Sequence, residues 1–495
     1  MKINIKNKKI LFLGYGAVAK CVLNYFDTYF IYDIKNIYIV DKCELAFYGP
    51  IIDKINKNNK IILNVNVLTF ENLIKQIDLK TNDIIIDLTF FSNTYYFIYQ
   101  CLLKGINYIN TSIEDDTDQL FGSSIDLQQK IVNKIFLDFK KDNKIKCNIL
   151  TEFGQNPGLI QHYILYALNQ LNKLNNNTTK DDYNIKTLTK VIDDYKIGTI
   201  FVSEIDNMIK KKEIKSKSKS KSDDNIIYNT WSVAGLLGEG FDKTELAVGK
   251  NNKFIKPKIP NNMLDVTKMN LVQNKDYQVY FLNDIGINTF VNSVCPIISN
   301  DKIIFKKYNG MMIHHGEVFE LARLFGKNAP FISYVYQINK YAYSSIKQFM
   351  KKHNSVDETE IQQWILNNCK SFHVFDNINK KNNDILIGHD SIGCTIFCGN
   401  NNIDKIFWCG TILSDTDDNV NKLFTPTIIQ VAAGVLSGLS YMLEPKNNCK
   451  GLLNPCDLET NYILDKSIPL LGKFFFTQIP TNKFDDSFNL KFKKF

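Results

Sequence analysis

The chain has 495 residues, of which 44% are hydrophobic and 12% aromatic, so it is long enough for two folded domains and its composition is not that of a disordered protein. Its formal net charge is +9, but the segment from Lys210 to Lys221 alone holds seven lysines and one glutamate, so the charge does not indicate nucleic-acid binding. The sequence shows no signal-peptide pattern and no uninterrupted apolar run of the roughly 20 residues that span a membrane. These features predict a cytoplasmic protein that binds neither a membrane nor a nucleic acid.

Eleven cysteines are scattered along the chain. The tightest group, Cys394, Cys398 and Cys409, lacks the paired CxxC spacing of a zinc knuckle. We therefore expect reduced thiols, as in cytosolic proteins, and no metal site.

Short apolar runs alternate with helical patterns over about the first 150 residues. The runs are KILFLGYG, IYIVD, IILNVNVL, DIIIDLTF and INYIN. This alternation is typical of βαβ units and a parallel sheet. We expect a Rossmann-like dinucleotide-binding domain over residues 1–153, completed by a small-residue-rich helix near residues 425–445.

The segment GYGAVA follows the run ILFL and begins a helical pattern. It matches G-x-G-x-x-A, in which the first glycine permits a tight turn, the second lets a pyrophosphate approach the backbone, and the helix N-terminus supplies amide donors. Asp41 ends IYIVD, 25 residues beyond Gly16, where a carboxylate accepts both ribose hydroxyls and favours NAD over NADP. The alternative is a glycine-rich turn that binds nothing. The predicted cofactor-binding residues here are Gly14, Gly16, Ala17, Val18 and Asp41.

Polar residues also follow the later strand-like runs. Thr89 and Asn93 come after DIIIDL. Thr111 and Glu114 come after INYIN. Because the carboxyl ends of parallel strands line the ligand crevice, we expect Thr89 and Asn93 near the cofactor and Glu114 near the reacting carbon. Each side chain taken singly is equally compatible with an ordinary helix cap. The predicted cofactor-binding set also includes Thr111 and Pro157.

A second region, residues 154–424, is predicted to form a substrate and dimerisation domain. A turn that contains two glycines and a proline precedes an amphipathic helix that begins near Leu159. The Lys-Ser-rich stretch near residues 210–225 is typical of a disordered surface insertion. Strand-like runs between residues 384 and 410 predict an antiparallel sheet.

Residues 446–495 are expected to pack on the body of the protein. The predicted fold class is therefore α/β, with a Rossmann-type parallel sheet in one domain and a second, α+β domain that has a mixed or antiparallel sheet.

Several carboxylates lie in apolar surroundings in the second region. Glu204 lies within FVSEID, and Glu239 lies between two glycines eight residues after Trp231. Glu317 and Asn156 lie in similar stretches. A buried carboxylate is costly without a cation, and tryptophan is the best aromatic partner of an ammonium group. The pattern indicates an amine ligand, although plain core packing is the alternative for Trp231.

Six segments together carry a resemblance to a known family: GYGAVA, TEFGQNPGLIQHY, VSEID, TWSVAGLLGEG, IHHGEVFELARLF and PFISYVY. In these segments, which run in the same order over nearly the whole chain, the protein resembles the bacterial-type homospermidine synthases of the saccharopine dehydrogenase-like group. The resemblance implies a homodimer with NAD as its cofactor. It also implies that putrescine is oxidised to an imine with loss of ammonia, joined to a second putrescine or to the aminobutyl group of spermidine, and reduced to homospermidine.

The same resemblance implies a role for each candidate site residue. Trp231 would hold a cationic group by cation–π contact, and Glu239 would anchor an ammonium. Asn156 and Glu204 would hydrogen-bond the substrate amines, with Glu114 as a further amine contact. The roles are those of an amine-binding pocket without a metal.

The stretch MMIHHGEVF contains three candidate residues, His314, His315 and Glu317. Adjacent histidines do not easily bind one metal ion, and the H-E-x-x-H spacing is absent. In an extended turn, residues two apart face the same side, so His315 and Glu317 are expected to reach one substrate ammonium, and His314 to be a packing residue. The resemblance implies that His315 and Glu317 lie at the inner site, where they position the amine and relay protons. A shift of one position would exchange the two histidines.

Two alternatives remain open. A carboxynorspermidine- or saccharopine-type dehydrogenase would bind carboxylate substrates and would need arginine or lysine in its pocket, for which Arg323 is the obvious residue nearby. A non-catalytic NAD-binding sensor would bind NAD but release no ammonia from putrescine.

Overall fold

The structure is a computed structural model. It describes residues 2–47, 49, 51–89, 93–113, 124–210, 227–272, 274–353, 358–371, 386–417, 423–447, 450–481 and 490–494. The predicted amine contact Glu114 and all but the first residue of the predicted Lys-Ser insertion lie outside the described residues.

The helices are spread along the described chain. They are α1 (Ala17–Tyr29), α2 (Phe70–Ile77), α3 (Thr94–Lys104), α4 (Ile125–Asp142), α5 (Leu159–Asn176), α6 (Ile185–Asp194), α7 (Val233–Phe241), α8 (Val266–Leu271), α9 (Gly316–Phe325), α10 (Lys340–His353), α11 (Glu358–Asn368), α12 (Pro426–Leu443) and α13 (Thr460–Ser467).

The strands alternate with helices at first and then form longer antiparallel runs. They are β1 (Ile3–Asn4), β2 (Ile10–Leu13), β3 (Phe30–Ile31), β4 (Ile37–Asp41), β5 (Lys60–Ile62), β6 (Ile84–Asp87), β7 (Asn107–Asn110), β8 (Asn148–Leu150), β9 (Ile197–Asp206), β10 (Ile209–Lys210), β11 (Ile227–Asn229), β12 (Lys243–Gly249), β13 (Tyr277–Ile285), β14 (Thr289–Ser299), β15 (Lys302–Ile313), β16 (Phe331–Gln337), β17 (Cys369–Ser371), β18 (Leu386–Ile387), β19 (His389–Cys398), β20 (Lys405–Ser414), β21 (Gly451–Leu453), β22 (Lys473–Ile479) and β23 (Phe492–Lys494).

Residues 1–162 and 428–470 form the first of two compact units. Its seven-stranded sheet has the order β21-β8-β7-β6-β2-β4-β5, and its strand pairs are parallel. Strands buried on both faces explain the continuous apolar runs in the sequence. Because β2 lies between β4 and β6, the strand order reverses there, which is where open α/β sheets bind ligands. The predicted Rossmann-type sheet is confirmed.

Helix α12 packs against the turn that follows β8. A Cβ at Gly434 would collide with the carbonyl of Gly154, and one at Gly438 would collide with the ring of Phe153, so this close approach requires glycines. Within the described chain, α12 alone is long and apolar enough to cross a membrane, although 78% of its apolar window is buried. Polar residues interrupt its apolar run, so the sequence pattern alone does not show this property.

Residues 163–427 and 471–495 form the second unit. Its ten-stranded sheet runs β22-β20-β19-β9-β16-β15-β14-β23, and β12 joins β16 to β13. Strands β9 and β16 are parallel, whereas their other neighbours in the sheet pair antiparallel. The predicted mixed sheet is confirmed, and it includes the predicted antiparallel pair β19 and β20.

Candidate functional site

In the first unit, the loop between β2 and α1 has the backbone that a dinucleotide-binding turn requires. Gly14 has φ +77°, and a Cβ at this position would lie 2.9 Å from the carbonyl oxygen of Leu88. A Cβ at Gly16 would meet nothing within 4 Å. No side chain caps the N-terminus of α1, and its first turn holds no acidic residue. The amides at Ala17 and Val18 therefore begin a helix that can receive an anion.

Asp41, at the end of β4, is held against this loop. Its two carboxylate oxygens accept hydrogen bonds from the backbone amides of Tyr15 at 2.7 Å and Cys43 at 2.9 Å. A carboxylate has about four acceptor positions, so these two bonds fix its orientation and leave capacity for ribose hydroxyls.

The side chains after β6 are already engaged within the first unit. The Thr89 hydroxyl donates to Asp87, which also accepts a 2.7 Å hydrogen bond from the hydroxyl of Tyr108. Burial, and next the carboxylate of Asp87, raises the pKa of Tyr108 well above its usual value, so this phenol stays protonated. Asn93 accepts from the amide of Tyr96 at 2.9 Å and caps α3, which is the alternative considered for this residue.

The turn after β8 carries Asn156 and Pro157, which are joined by a cis peptide bond. Thr111, after β7, lies beside this turn, since its methyl group would be 3.5 Å from a Cβ at Gly154. Gln155 is buried, and neither its amide oxygen nor its amide nitrogen has a hydrogen-bond partner within the described structure. An orphaned amide offers one donor and one acceptor group to a ligand.

In the second unit, His315 lies between two carboxylates. Its Nδ1 is 3.1 Å from Oε2 of Glu317, and its Nε2 is 3.3 Å from Oε2 of Glu239. Burial alone would lower the pKa of His315, but the charges of Glu317 and Glu239 outweigh burial and hold the pKa well above its usual value. The ring is therefore an imidazolium at neutral pH, and it precedes α9 as its N-cap residue.

His314 has a different environment. Its Nδ1 is 3.2 Å from the carbonyl oxygen of Lys243, and its Nε2 is 3.5 Å from Asp242. Burial lowers the pKa of His314, although Asp242 opposes this shift. The described residues contain no group of three or more His, Cys, Asp or Glu side chains arranged to hold a metal ion.

An aromatic row lies next to His315. The His315 and Tyr334 rings are 4.6 Å apart, and Tyr334 stacks on Tyr336 at 5.7 Å with an interplanar angle of 14°. The indole nitrogen of Trp231 donates to the hydroxyl of Tyr336 at 3.2 Å. The hydroxyl of Tyr334 donates to Oε2 of Glu204 at 2.7 Å. Trp231, the tyrosines, His315 and Glu204 thus form one connected site.

Three buried carboxylates complete this site. Glu204 and Asp206 lie two residues apart on β9, so they share a face of the sheet, and Asp206 pairs directly with Asp390 on β19. Burial, and next the charge of Asp390, raises the pKa of Glu204 well above its usual value, despite the hydrogen bond from Tyr334. Burial raises the pKa of Asp206 to about 6, and burial together with Asp206 raises that of Asp390 well above its usual value.

Comparisons with known proteins agree with this architecture. Residues 10–141 match the family described as the saccharopine dehydrogenase NADP binding domain. The chain is 21% identical over 485 residues to the homospermidine synthase of Mesorhizobium japonicum. The aligned region covers 94% of this chain and 88% of that relative. The crystal structure of the homospermidine synthase from Legionella pneumophila in complex with NAD superposes with a TM-score of 0.73 at 20% identity, covering 97% of this chain and 92% of that chain. The chain has the homospermidine synthase fold. The resemblance predicted from the motifs is thereby confirmed.

On this homospermidine synthase fold, the predicted site residues fall into two groups. The first unit holds the predicted cofactor-binding residues together with Asn156. The second unit brings together five of the predicted catalytic residues in one cluster: Glu204, Trp231, Glu239, His315 and Glu317.

Four further residues beside these five were not predicted as site residues from the sequence: Asp206, Tyr334, Tyr336 and Asp390. Asp206 and Tyr336 lie two residues beyond Glu204 and Tyr334 in the strands FVSEID and FISYVY, so the alternation of a β-strand would have put each pair on one face. Asp390 needed the register between β9 and β19, which no local pattern gives.

Proposed function

We propose that this protein is an NAD-dependent homospermidine synthase. In this reaction, an amine carbon of putrescine is oxidised, ammonia leaves, and the four-carbon unit forms a Schiff base with a second putrescine or with spermidine. Reduction of the Schiff base then gives homospermidine. The similarity to the Mesorhizobium and Legionella homospermidine synthases supports this reaction, and a cytoplasmic homodimer belongs to the same proposal.

The buried acidic cluster of the second unit carries the proposal. Burial raises the pKa values of Glu204, Asp206 and Asp390, the charge of Asp206 raises those of Glu204 and Asp390 further, and no lysine or arginine of the described chain contributes to these shifts. Such a group is stabilised when a cation enters, because the cation favours the ionised carboxylates. A diamine supplies two positive charges on a flexible chain, whereas a dicarboxylate substrate would add negative charge to a group of buried carboxylates that no lysine or arginine offsets.

Trp231 and the stacked tyrosines suit the same ligand. An ammonium or iminium group gains cation–π attraction over an aromatic face, worth about 0.5–2 kcal/mol. The hydrogen bond from the indole to Tyr336 ties Trp231 to the row of tyrosines, which continues to Glu204. The site therefore combines aromatic faces with carboxylates, which is the usual chemistry of amine recognition.

His315 and its two carboxylates are suited to proton transfer. Hydride can leave a carbon bonded to nitrogen only when that nitrogen is neutral, so a base must first take a proton from the substrate ammonium. Glu239 is less buried than Glu317, so it is the better candidate for that base. The imidazolium of His315 holds Glu239 through Nε2 and can return a proton to the departing ammonia.

The first unit fits NAD. The open space at Gly16 admits a pyrophosphate, Asp41 can accept ribose hydroxyls, and the orphaned amide of Gln155 can pair with a carboxamide. When bound, NAD would take a hydride from the amine carbon and later return it. A carboxylate at Asp41 repels the 2′-phosphate of NADP, which favours NAD.

The deciding experiment incubates the purified protein with NAD⁺ and putrescine. Homospermidine is measured by chromatography of the derivatised polyamines, and ammonia is measured in the same samples. We expect homospermidine and ammonia in equal amounts without net accumulation of NADH. Net NADH formation would indicate a dehydrogenase, and the absence of both products would overturn the proposal.

A further inference from the structure

The position of Trp231 depends on the short segment that connects β11 to α7. Trp231 is half-buried, and its indole donates one hydrogen bond, at 3.2 Å, to Tyr336. One hydrogen bond at the edge of the indole does not stop the ring from rotating about that edge. The backbone of the segment must therefore be fixed if the face of the ring is to stay in the amine site.

Side chains hold the backbone on both sides of Trp231. The amide of Asn229 donates to the carbonyls of Trp231 at 3.3 Å and Ser232 at 3.2 Å. The hydroxyl of Ser232 accepts from the amide of Gly235 at 3.2 Å and caps α7. These bonds shape the turn locally, but they do not attach it to the sheet that carries the carboxylates.

Thr230 makes that attachment. Its hydroxyl donates to Oδ2 of Asp206 at 2.7 Å, and its carbonyl accepts from the hydroxyl of Thr425 at 3.1 Å. Both Thr230 and Asp206 are buried. The other oxygen of Asp206 accepts the amide of Met208 at 2.9 Å, so the carboxylate cannot rotate away without losing two hydrogen bonds.

We propose that Thr230 and Asp206 are positioning residues that fix Trp231 in the amine site. Asp206 has two roles in this arrangement: it belongs to the acidic cluster and it anchors the segment that bears the cation–π residue. The inference rests on the proposed function only for the identity of the ligand, since the position of the indole can be measured without a ligand.

The first test replaces Thr230 by valine, which keeps the branched shape and removes the hydroxyl. The accessibility of Trp231 is measured by acrylamide quenching of its fluorescence. Because the chain has three tryptophans, the fluorescence of Trp231 is obtained by subtracting the fluorescence of the same variant that also carries Trp231→Phe. We expect stronger quenching of Trp231 in Thr230→Val than in the wild type. Thr230→Ser, which keeps the hydroxyl, should restore the wild-type value.

The second test measures putrescine binding to the cofactor-free protein by calorimetry, so that no turnover contributes to the heat. Thr230→Val should raise the dissociation constant by about 2- to 30-fold, the range that a cation–π contact contributes, and should leave NAD⁺ affinity unchanged. Thr230→Ser should bind as the wild type does.

The matched control is Thr395→Val. Thr395 is equally buried in the second unit, and its hydroxyl donates to the carbonyl of Val294 at 2.6 Å, but it lies on the opposite face of the sheet from Glu204. This variant loses stability without a change in Trp231 quenching or putrescine affinity. Unchanged quenching and affinity in Thr230→Val would overturn the proposal, as would Thr230→Ser behaving like valine. A wild type that binds no diamine would overturn the proposed function instead, while the quenching result still decides the role of Thr230.

Discussion

The two candidate sites hold their polar groups in opposite ways. In the first unit, Asp41 accepts backbone amides, and Asp87 accepts the hydroxyls of Thr89 and Tyr108, so these carboxylates are satisfied by the protein itself. In the second unit, Glu204 and Asp390 lie among other carboxylates that raise their pKa values. The carboxylates of the first site are satisfied as anions by hydrogen bonds, whereas those of the second site tend to keep their protons until a cation enters.

This difference teaches how each site selects its ligand. In the first unit, the shape of the glycine turn, backbone amides and a few polar side chains such as Asp41 are expected to select the ligand, so mutations in the turn should act through steric fit. Charge selects a ligand in the second unit, so binding there should depend on protonation. The contrast predicts that each site can be damaged without affecting the other.

The largest effect is expected for Glu317→Ala. Glu317 is fully buried, and its removal leaves the imidazolium of His315 without one of its two carboxylates. Breaking a buried ion pair costs about 3–5 kcal/mol, so the free energy of unfolding should fall by that order and turnover should be lost. Chemical denaturation and the ammonia assay measure the two effects. NAD⁺ affinity that fell in parallel would break the distinction between the sites.

Trp231→Ala should come next. Loss of the cation–π contact should weaken putrescine binding by about 0.5–2 kcal/mol and remove most turnover, with NAD⁺ affinity intact. Calorimetry with each ligand tests this split. Equal losses for both ligands would mean that Trp231 only supports the fold.

Gly14→Ala tests the candidate dinucleotide site in the first unit. A residue with a Cβ is destabilised by about 1–2 kcal/mol in the left-handed backbone conformation of Gly14. The added Cβ would also clash with the carbonyl oxygen of Leu88. NADH binding, followed by its fluorescence, should weaken by at least about tenfold. Putrescine binding to the cofactor-free protein should be unchanged, and a parallel loss would contradict the proposed independence.

The pH dependence should also differ between the sites. Burial raises the pKa of Asp206 to about 6 from its usual value near 3.8, so the folded state binds this proton more tightly. That contribution to stability is fully present below about pH 3.8 and is lost as the pH rises through 6 in the amine-free protein. A bound diamine favours the ionised cluster, so putrescine affinity should increase as the pH rises from 5 to 7.

Calorimetry of putrescine binding at about pH 6 in two buffers of different ionisation enthalpy measures the proton released. Putrescine binding is expected to release protons from the cluster of Asp206, Asp390 and Glu204. Proton uptake, or no proton exchange at all, would contradict the proposal that a diamine binds the ionised form of this cluster. NAD⁺ binding over the same range should change little.

The sequence predicted both sheets because their signals are local. Alternating apolar runs identified the parallel sheet, and GYGAVA located the turn whose Gly14 has the required backbone. Glu204, Trp231, Glu239, His315 and Glu317, which lie together in the second unit, had been predicted as site residues through their segments. Asp390 was missed because its role arises from a cross-strand pairing with Asp206, 184 positions away in the chain. Such pairings follow from tertiary register, which short-range patterns do not encode.

Asn93 gives the smallest predicted effect and tests the limit of the sequence reasoning. The sequence allowed either a cofactor contact or a helix cap, and the side chain accepts from the amide of Tyr96 at the start of α3. Asn93→Ala should lower the free energy of unfolding by about 1 kcal/mol, the usual value for a lost cap, and Asn93→Asp should preserve it because aspartate caps equally well. NADH affinity separates the two roles: if capping is the main role, both variants bind NADH within about twofold of the wild type. A tenfold loss in Asn93→Ala that Asn93→Asp does not repair would instead make the amide a cofactor contact, in addition to the side chains of Asp41 and Gln155.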